Sequence, residues 1–175
     1  MADLRIGGYS PGALGRVVEM HGRYYAANWG FGSYFERKVA RELAEFLGRC
    51  DEATDRFLCA RRNDRIFGSI TVDGSEPDNP PGTAHIRWFI VDDGQRGGGA
   101  GGRLMEEAMG FVRAAGFADV YLWTFAGLDA ARTLYERHGF ALAEEREAEQ
   151  WGTRVREQRF VWQAPGGCGT VDEPI

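Results

Sequence analysis

Five glycines fall within six residues, at Gly97, Gly98, Gly99, Gly101 and Gly102, with Ala100 among them. A strongly β-prone run, His85 to Val91, comes before them, across the polar turn Asp92-Asp93-Gly94. An amphipathic helical pattern follows, with Leu104, Ala108, Phe111, Val112 and Ala115 on its apolar face. Helix propensity does not explain the cluster, since each glycine costs roughly 1 kcal/mol against alanine in a helix interior. Bare backbone serves close approach. N–H groups with no Cβ in the way, at the positive end of a helix dipole, form an anion site. The stretch therefore predicts a bound phosphate or pyrophosphate. Patterned sequence on both sides argues against a flexible linker.

Other glycine motifs fit less well. A P-loop closes on Gly-Lys-Ser/Thr, whereas this chain has Gly102-Arg103-Leu104 and no hydroxyl for magnesium. A dinucleotide fingerprint can be written as Gly97-x-Gly99-x-x-Gly102, but its ribose-binding acid should end the next strand. Asp119 precedes that strand, and Val120 to Phe125 ends without an acid. Asp92 to Arg96 is also long for the tight turn of such folds. Arg96-x-x-Gly99-x-Gly101, after a strand and opening a helix, resembles the acyl-CoA signature R/Q-x-x-G-x-G/A of the GNAT N-acetyltransferase superfamily.

The rest of the chain reads in the same sense. Leu4 to Tyr9 is a short strand. Ser10-Pro11-Gly12 offers a cap and an early proline for a helix over Ala13 to Trp29. Ser33 to Glu36 is a capping-box pattern opening a second helix. Phe57 to Arg61 and Ile66 to Asp73 form a hairpin about Asn63-Asp64. Gly116 stops the glycine-led helix. Val120 to Phe125 is a strand parallel to the central one through the helical crossover. Leu128 to Arg137 is a helix stopped by Gly139, and Ala141 to Gln150 with Arg154 to Trp162 is a final hairpin. Residues 164–175 read as a flexible tail. The order β-αα-ββ-β-α-β-α-ββ is a single α/β domain, a mixed sheet with helices on both faces, and is similar to the GNAT arrangement over residues 1–163.

A second local match is Ala131-x-x-x-Tyr135-Glu136-x-x-Gly139-Phe140, which resembles the family element A-x-x-x-Y-E-x-x-G-F. More narrowly, Tyr121 to Arg132 and Glu149 to Thr153 look like the acetyltransferase half of proteins fusing a MarR-type regulator to a GNAT domain. The regulator half is absent, so no DNA-binding role carries over.

The net charge of −5 gives no reason to expect nucleic-acid binding. No apolar run approaches membrane-spanning length, and nothing at the start reads as a signal peptide. Cys50, Cys59 and Cys168 are an odd number without metal spacing, which fits a cytoplasmic, reducing setting and no metal.

The resemblance implies an N-acetyltransferase that moves the acetyl group of acetyl-CoA to an amine, on a small molecule or a protein. A homodimer is compatible with it. A non-catalytic acyl-CoA sensor is the alternative. By resemblance, Phe89, Ile90 and Val91 pair with the pantetheine arm, and an N–H near Val91 meets the oxyanion. Arg96, Gly97, Gly98, Gly99, Ala100, Gly101 and Gly102 cradle the pyrophosphate. Tyr135 touches the cofactor and protonates the leaving thiolate. His85 stands six residues before Val91, where some members carry a glutamate base, and an imidazole suits that task at neutral pH. Glu36, Glu149 or a water are the alternative bases. The Trp29 to Gly32 loop and Trp151 are expected to roof the acceptor pocket. One departure stands out: an Asn that commonly contacts the cofactor is replaced by Leu128.

Overall fold

A computed structural model describes residues 3–166. Seven strands form one sheet in the order β1-β2-β3-β4-β5-β7-β6. They are β1 (Arg5–Gly7), β2 (Asp55–Arg62), β3 (Arg65–Asp73), β4 (Thr83–Val91), β5 (Asp119–Phe125), β6 (Ala141–Ala148) and β7 (Val155–Gln163). Helices α1 (Ala13–Trp29) and α2 (Ser33–Arg49) pack on one face, and α3 (Ala100–Ala115) and α4 (Asp129–Arg137) on the other. The element order and the fold class are those expected from the sequence.

The local reasons differ from the sequence reading at both early helix starts. Gly12, in the left-handed region at φ 87°, is the N-cap of α1, and Ser10 contributes only its carbonyl, to the N–H of Ala13. At α2 the N-cap is Gly32, so Ser33 is already helical and no capping box forms. The hairpin between β2 and β3 turns as read. Asn63 and Asp64 both take positive φ, 48° and 62°, the pattern of a type I′ turn. The tail expected to fray begins at residue 164, yet the Ala164 N–H is bonded to the Ala118 carbonyl at 2.8 Å. Residues 167–175, including Cys168, lie outside the described residues.

One irregularity decides what the sheet can do. Strands β3 and β4 are in register from Asp73↔His85 to Thr71↔Arg87, then shift before Ser69↔Ile90. Two residues advance on β3 while three advance on β4, so β4 carries a bulge. Trp88 sits in it at φ 47°, strained for a bulky side chain. The Ser69 hydroxyl donates to the Trp88 carbonyl at 2.7 Å, in a buried position, and pins the bulge. Gly68 lets the strands close again beyond it, since a Cβ there would lie 3.1 Å from the Ile90 carbonyl oxygen.

On its other side β4 pairs in parallel with β5 only from Thr83↔Asp119 to Ile86↔Leu122. Beyond Ile86 the two strands part, while β5 stays paired with β7 as far as Phe125↔Glu157. A gap therefore opens in the sheet beside residues 87–91.

Replacing Ser69 by alanine should cost about 1 kcal/mol or more, the worth of a hydrogen bond lost from a buried carbonyl. Denaturant unfolding of Ser69→Ala beside the parent checks this, and equal midpoints would show that the bulge does not depend on the hydroxyl.

Candidate active site

The gap has a cavity on each side. The first, about 620 Å³, is lined by Phe89, Ile90 and Val91 of β4, by Arg96 and the glycine stretch except Gly98, and by Leu128 to Ala131 and Thr133 to Tyr135. The second, about 360 Å³, lies on the α2 side and is lined among others by His21, Lys38, Glu42, Glu76, His85, Arg87, Trp123 and Trp151. Tyr25, Phe89 and Tyr135 line both cavities, so the two meet at these three aromatic rings.

The first cavity holds the anion cradle. Gly97 and Gly99 take φ of 80° and 77°, a region costly for any other residue, so two of the glycines are needed for conformation as well as for access. A Cβ on either would meet nothing within 4 Å. The N–H groups of residues 97–102 make no hydrogen bond among the described residues; the first helical bond of α3 comes from Arg103 to the Gly99 carbonyl. Those unpaired donors at a helix start, with Arg96 at the rim, suit a pyrophosphate. Arg96 itself stacks on Tyr24, donates to the Val91 carbonyl at 3.1 Å and pairs with Asp93 at 3.1 Å.

The strand edge above the cradle is open. The Asp92 N–H bonds back to Phe67 on the β3 side. Alternation along the strand then turns the N–H and C=O of Phe89 and Val91 toward the gap. Ile90 lines the same cavity, but pairs with Ser69 and buries its side chain under α1 and α2.

Tyr135 is 6% exposed and packs against Phe89, Phe140 and Phe160. Its hydroxyl makes no hydrogen bond among the described residues, although its ring edge reaches both cavities. Burial, with a smaller contribution from Tyr25, pushes its phenol above the usual range, so it keeps its proton at neutral pH.

In the second cavity, His85 Nδ1 lies 2.7 Å from a Glu76 carboxylate oxygen, and its ring stacks on Tyr121 at 4.3 Å. The Tyr121 hydroxyl sits 3.0 Å from the same oxygen and 2.8 Å from Asn79 Oδ1. Arg87 ties the floor together through Glu42 at 2.5 Å, Asp73 at 3.3 Å and Glu76 at 3.5 Å. Burial pushes the Glu76 carboxyl up, but His85, Arg87 and Tyr121 together hold it down at about 2. Burial pulls His85 below the ordinary imidazole range against the opposing effect of Glu76. A neutral His85 donates Nδ1–H to the carboxylate and keeps its lone pair on Nε2, which has no partner among the described residues.

Comparison with known proteins agrees with this geometry. The family model for the acetyltransferase (GNAT) family matches residues 16–140. The chain belongs to the acetyltransferase (GNAT) family. As a member it is an acetyl-CoA-dependent N-acyltransferase, and the cradle fits that donor. The fold is shared with yncA of Salmonella typhimurium, solved with its cofactor acetyl-CoA, at 16% identity and a TM-score of 0.73 over 95% of this chain and 100% of that one. It is shared with a ribosomal-protein-alanine N-acetyltransferase from Brucella melitensis, at 14% identity and 0.74 over 91% and 99%. A GNAT acetyltransferase from Streptococcus pneumoniae matches at 18% identity and 0.69 over 93% and 100%. No curated protein matches the chain.

Set within the GNAT frame, the residues expected from sequence converge on the two cavities, with exceptions. Glu36 is exposed beside Gly22 and Glu149 is exposed in the last hairpin, and neither lines the acceptor cavity. Trp29 and Phe31 do not roof it; they pack on Phe125 in the core, and Trp29 abuts Gly127. Trp151 does line it, in a loop held by buried Glu157, which accepts from the Gln150 side chain at 2.8 Å and from its N–H at 3.2 Å. Leu128 supplies no side-chain cap to α4 and packs partly buried instead. No cluster able to hold a metal occurs among the described residues, and no helix there is long and apolar enough to cross a membrane. Sequence reasoning missed Glu76, Tyr121, Arg87 and His21. Glu76 sits in a proline-rich loop with no periodicity to mark it, and only its contacts in the fold, with His85, Tyr121 and Arg87, reveal it.

The pairing has a titration signature. His85 should titrate below its usual value of about 6.5, so its contribution to stability is full above that pH and is lost as pH falls toward the folded value. Glu76→Gln removes the group that opposes burial and should move the His85 titration lower still, which histidine NMR reads directly. A higher value in Glu76→Gln would contradict the pairing.

Proposed function

We propose that this acetyltransferase joins its two substrates through the gap between β4 and β5, by direct attack of an amine on the thioester. The observation that carries the reading is the junction of the two cavities at Tyr135. Bound acetyl-CoA supplies an activated acyl group and a thiolate leaving group. The N–H groups of residues 97–102 and Arg96 hold the pyrophosphate. The backbone of Phe89 and Val91, aimed into the gap, supports pairing with the pantetheine arm as an added strand, with Ile90 lining the wall. The Val91 N–H meets the charge developing on the thioester oxygen.

His85 takes a proton from the amine at Nε2, directly or through one water, while Glu76 holds its tautomer. Tyr135 gives its proton to the departing sulfur. The acceptor is a slender amine, free or at the end of a protein side chain, in keeping with the smaller cavity. The segments Tyr121 to Arg132 and Glu149 to Thr153 support a narrower kinship with the acetyltransferase half of MarR–GNAT fusions.

Acetyl-CoA at 100 times its dissociation constant should stabilise the fold by roughly 2.7 kcal/mol, and NAD and ATP by much less. A thermal melt of CoA-free protein checks this; an unchanged melt at millimolar acetyl-CoA would contradict it. A shift without thiol release across a panel of amines would instead favour a non-catalytic acyl-CoA sensor.

Tyr135→Phe keeps the ring in the core and removes only the phenolic proton. Turnover should fall about 100-fold, the low end of what a positioned acid contributes, with acetyl-CoA affinity and melting temperature nearly unchanged. Full turnover in a folded Tyr135→Phe protein would leave thiolate protonation to solvent.

A further inference from the structure

The acceptor-side cavity holds a second imidazole that the reaction above does not use. His21, in α1, is 4% exposed and lines the cavity wall. Its Nδ1 lies 2.8 Å from the carbonyl of Val17, one turn earlier. A carbonyl only accepts, so Nδ1 carries the hydrogen and the lone pair is on Nε2. Nε2 makes no hydrogen bond among the described residues. Burial pulls the imidazole down to about 4, so it is neutral near pH 7 and too weak a base to hold a proton there. Among the described residues only Trp29 Nε1 and Thr71 Oγ1 are fully enclosed side-chain atoms without a partner, so the unpartnered Nε2 of His21 is open to the cavity, where a ligand N–H can reach its lone pair.

The charges around it narrow the ligand. His85 shows the same arrangement, with Nδ1 tied to Glu76 and Nε2 free. Both cations of the cavity are already engaged. Lys38 is bonded to Glu42, and Arg87 to Glu42, Asp73 and Glu76. The wall thus presents two nitrogen lone pairs and no unpaired cation. A ligand carrying N–H donors is matched there, and one carrying a carboxylate is not.

We infer that His21 is a specificity-determining residue: its Nε2 accepts an N–H of the amine acceptor, and the cavity selects simple amines over carboxylate-bearing ones. The inference rests on the transfer reading for the nature of the second substrate.

Two measurements test it separately from that reading. In protein labelled with ¹⁵N-histidine and saturated with CoA, n-butylamine should shift the His21 Nε2 resonance saturably, and sodium butyrate should not. In thiol-release kinetics, His21→Phe keeps a ring against Tyr25, which it now stacks on at 6.1 Å, and removes the lone pair. It should lower kcat/KM for n-butylamine and 1,4-diaminobutane about tenfold, the effect of one hydrogen bond, with KM for acetyl-CoA unchanged. His21→Gln, whose amide oxygen can accept, should recover part of the loss. If His21→Phe does not fold, the resonance shift alone decides. No saturable Nε2 shift, an equal shift with butyrate, or unchanged kcat/KM in folded His21→Phe would overturn the inference. If n-butylamine shifts Nε2 but no amine is acetylated, the transfer reading fails and the recognition stands. Acetylation that His21→Phe leaves untouched gives the reverse.

Discussion

The site depends on one local conflict in the sheet. Parallel pairing of β4 with β5 would, if continued, seal the centre of the molecule. The bulge at Trp88 re-aims β4 away from β5 after Ile86, and a buried hydroxyl, Ser69, holds it in that strained state. Strain of this kind costs of order 1–3 kcal/mol and persists only where the surroundings enforce it. Trp88 is enforced by its own burial, among α1, α2 and the Arg87 guanidinium stacked over its ring at 4.2 Å. What the strain produces is a strand edge inside a folded domain, where edges are otherwise covered; of its gap-facing groups only the Val91 carbonyl has a partner among the described residues, the Arg96 side chain.

The two sides of the gap are built on different physics. The cradle side works through backbone: unpaired N–H groups at a helix start, kept bare by glycine. The acceptor side works through side chains whose charges are internally balanced. Arg87, Lys38 and Arg49 together pair Glu42, Asp73 and Glu76, three cations against three carboxylates, so the floor carries no free charge and the two imidazoles stay neutral. Neutral imidazoles with their Nδ1 hydrogens committed are competent to receive N–H groups on Nε2. The negative net charge of −5 does not oppose phosphate binding, because the cradle does not draw on the global field.

How much of this the sequence revealed follows from what each feature needs. The glycine cradle was legible because repeated glycine at a helix start weakens the helix and serves little besides close backbone approach. That Tyr135 and His85 would lie at the cavities was legible, the first from a spaced motif and the second from its fixed distance along one strand from Val91. The bulge was not legible, since no pattern in His85 to Val91 marks a tryptophan that will take a positive φ. The helix starts at Gly12 and Gly32 were misread because nearby Ser10 and Ser33 carry the better capping chemistry, yet the backbone geometry chose glycine. Glu76 and Tyr121 are 45 residues apart and meet only through the fold. His21 is by burial one more position on the inner face of α1, and nothing in the sequence marks its unpartnered Nε2.

Amide hydrogen–deuterium exchange with and without CoA reads the backbone that the gap exposes. The account predicts that CoA slows exchange at Phe89, Val91 and residues 97–102, while the paired centre of β3 is unaffected. Unchanged exchange at those amides in protein that binds CoA, or protection confined to another part of the surface, would contradict it.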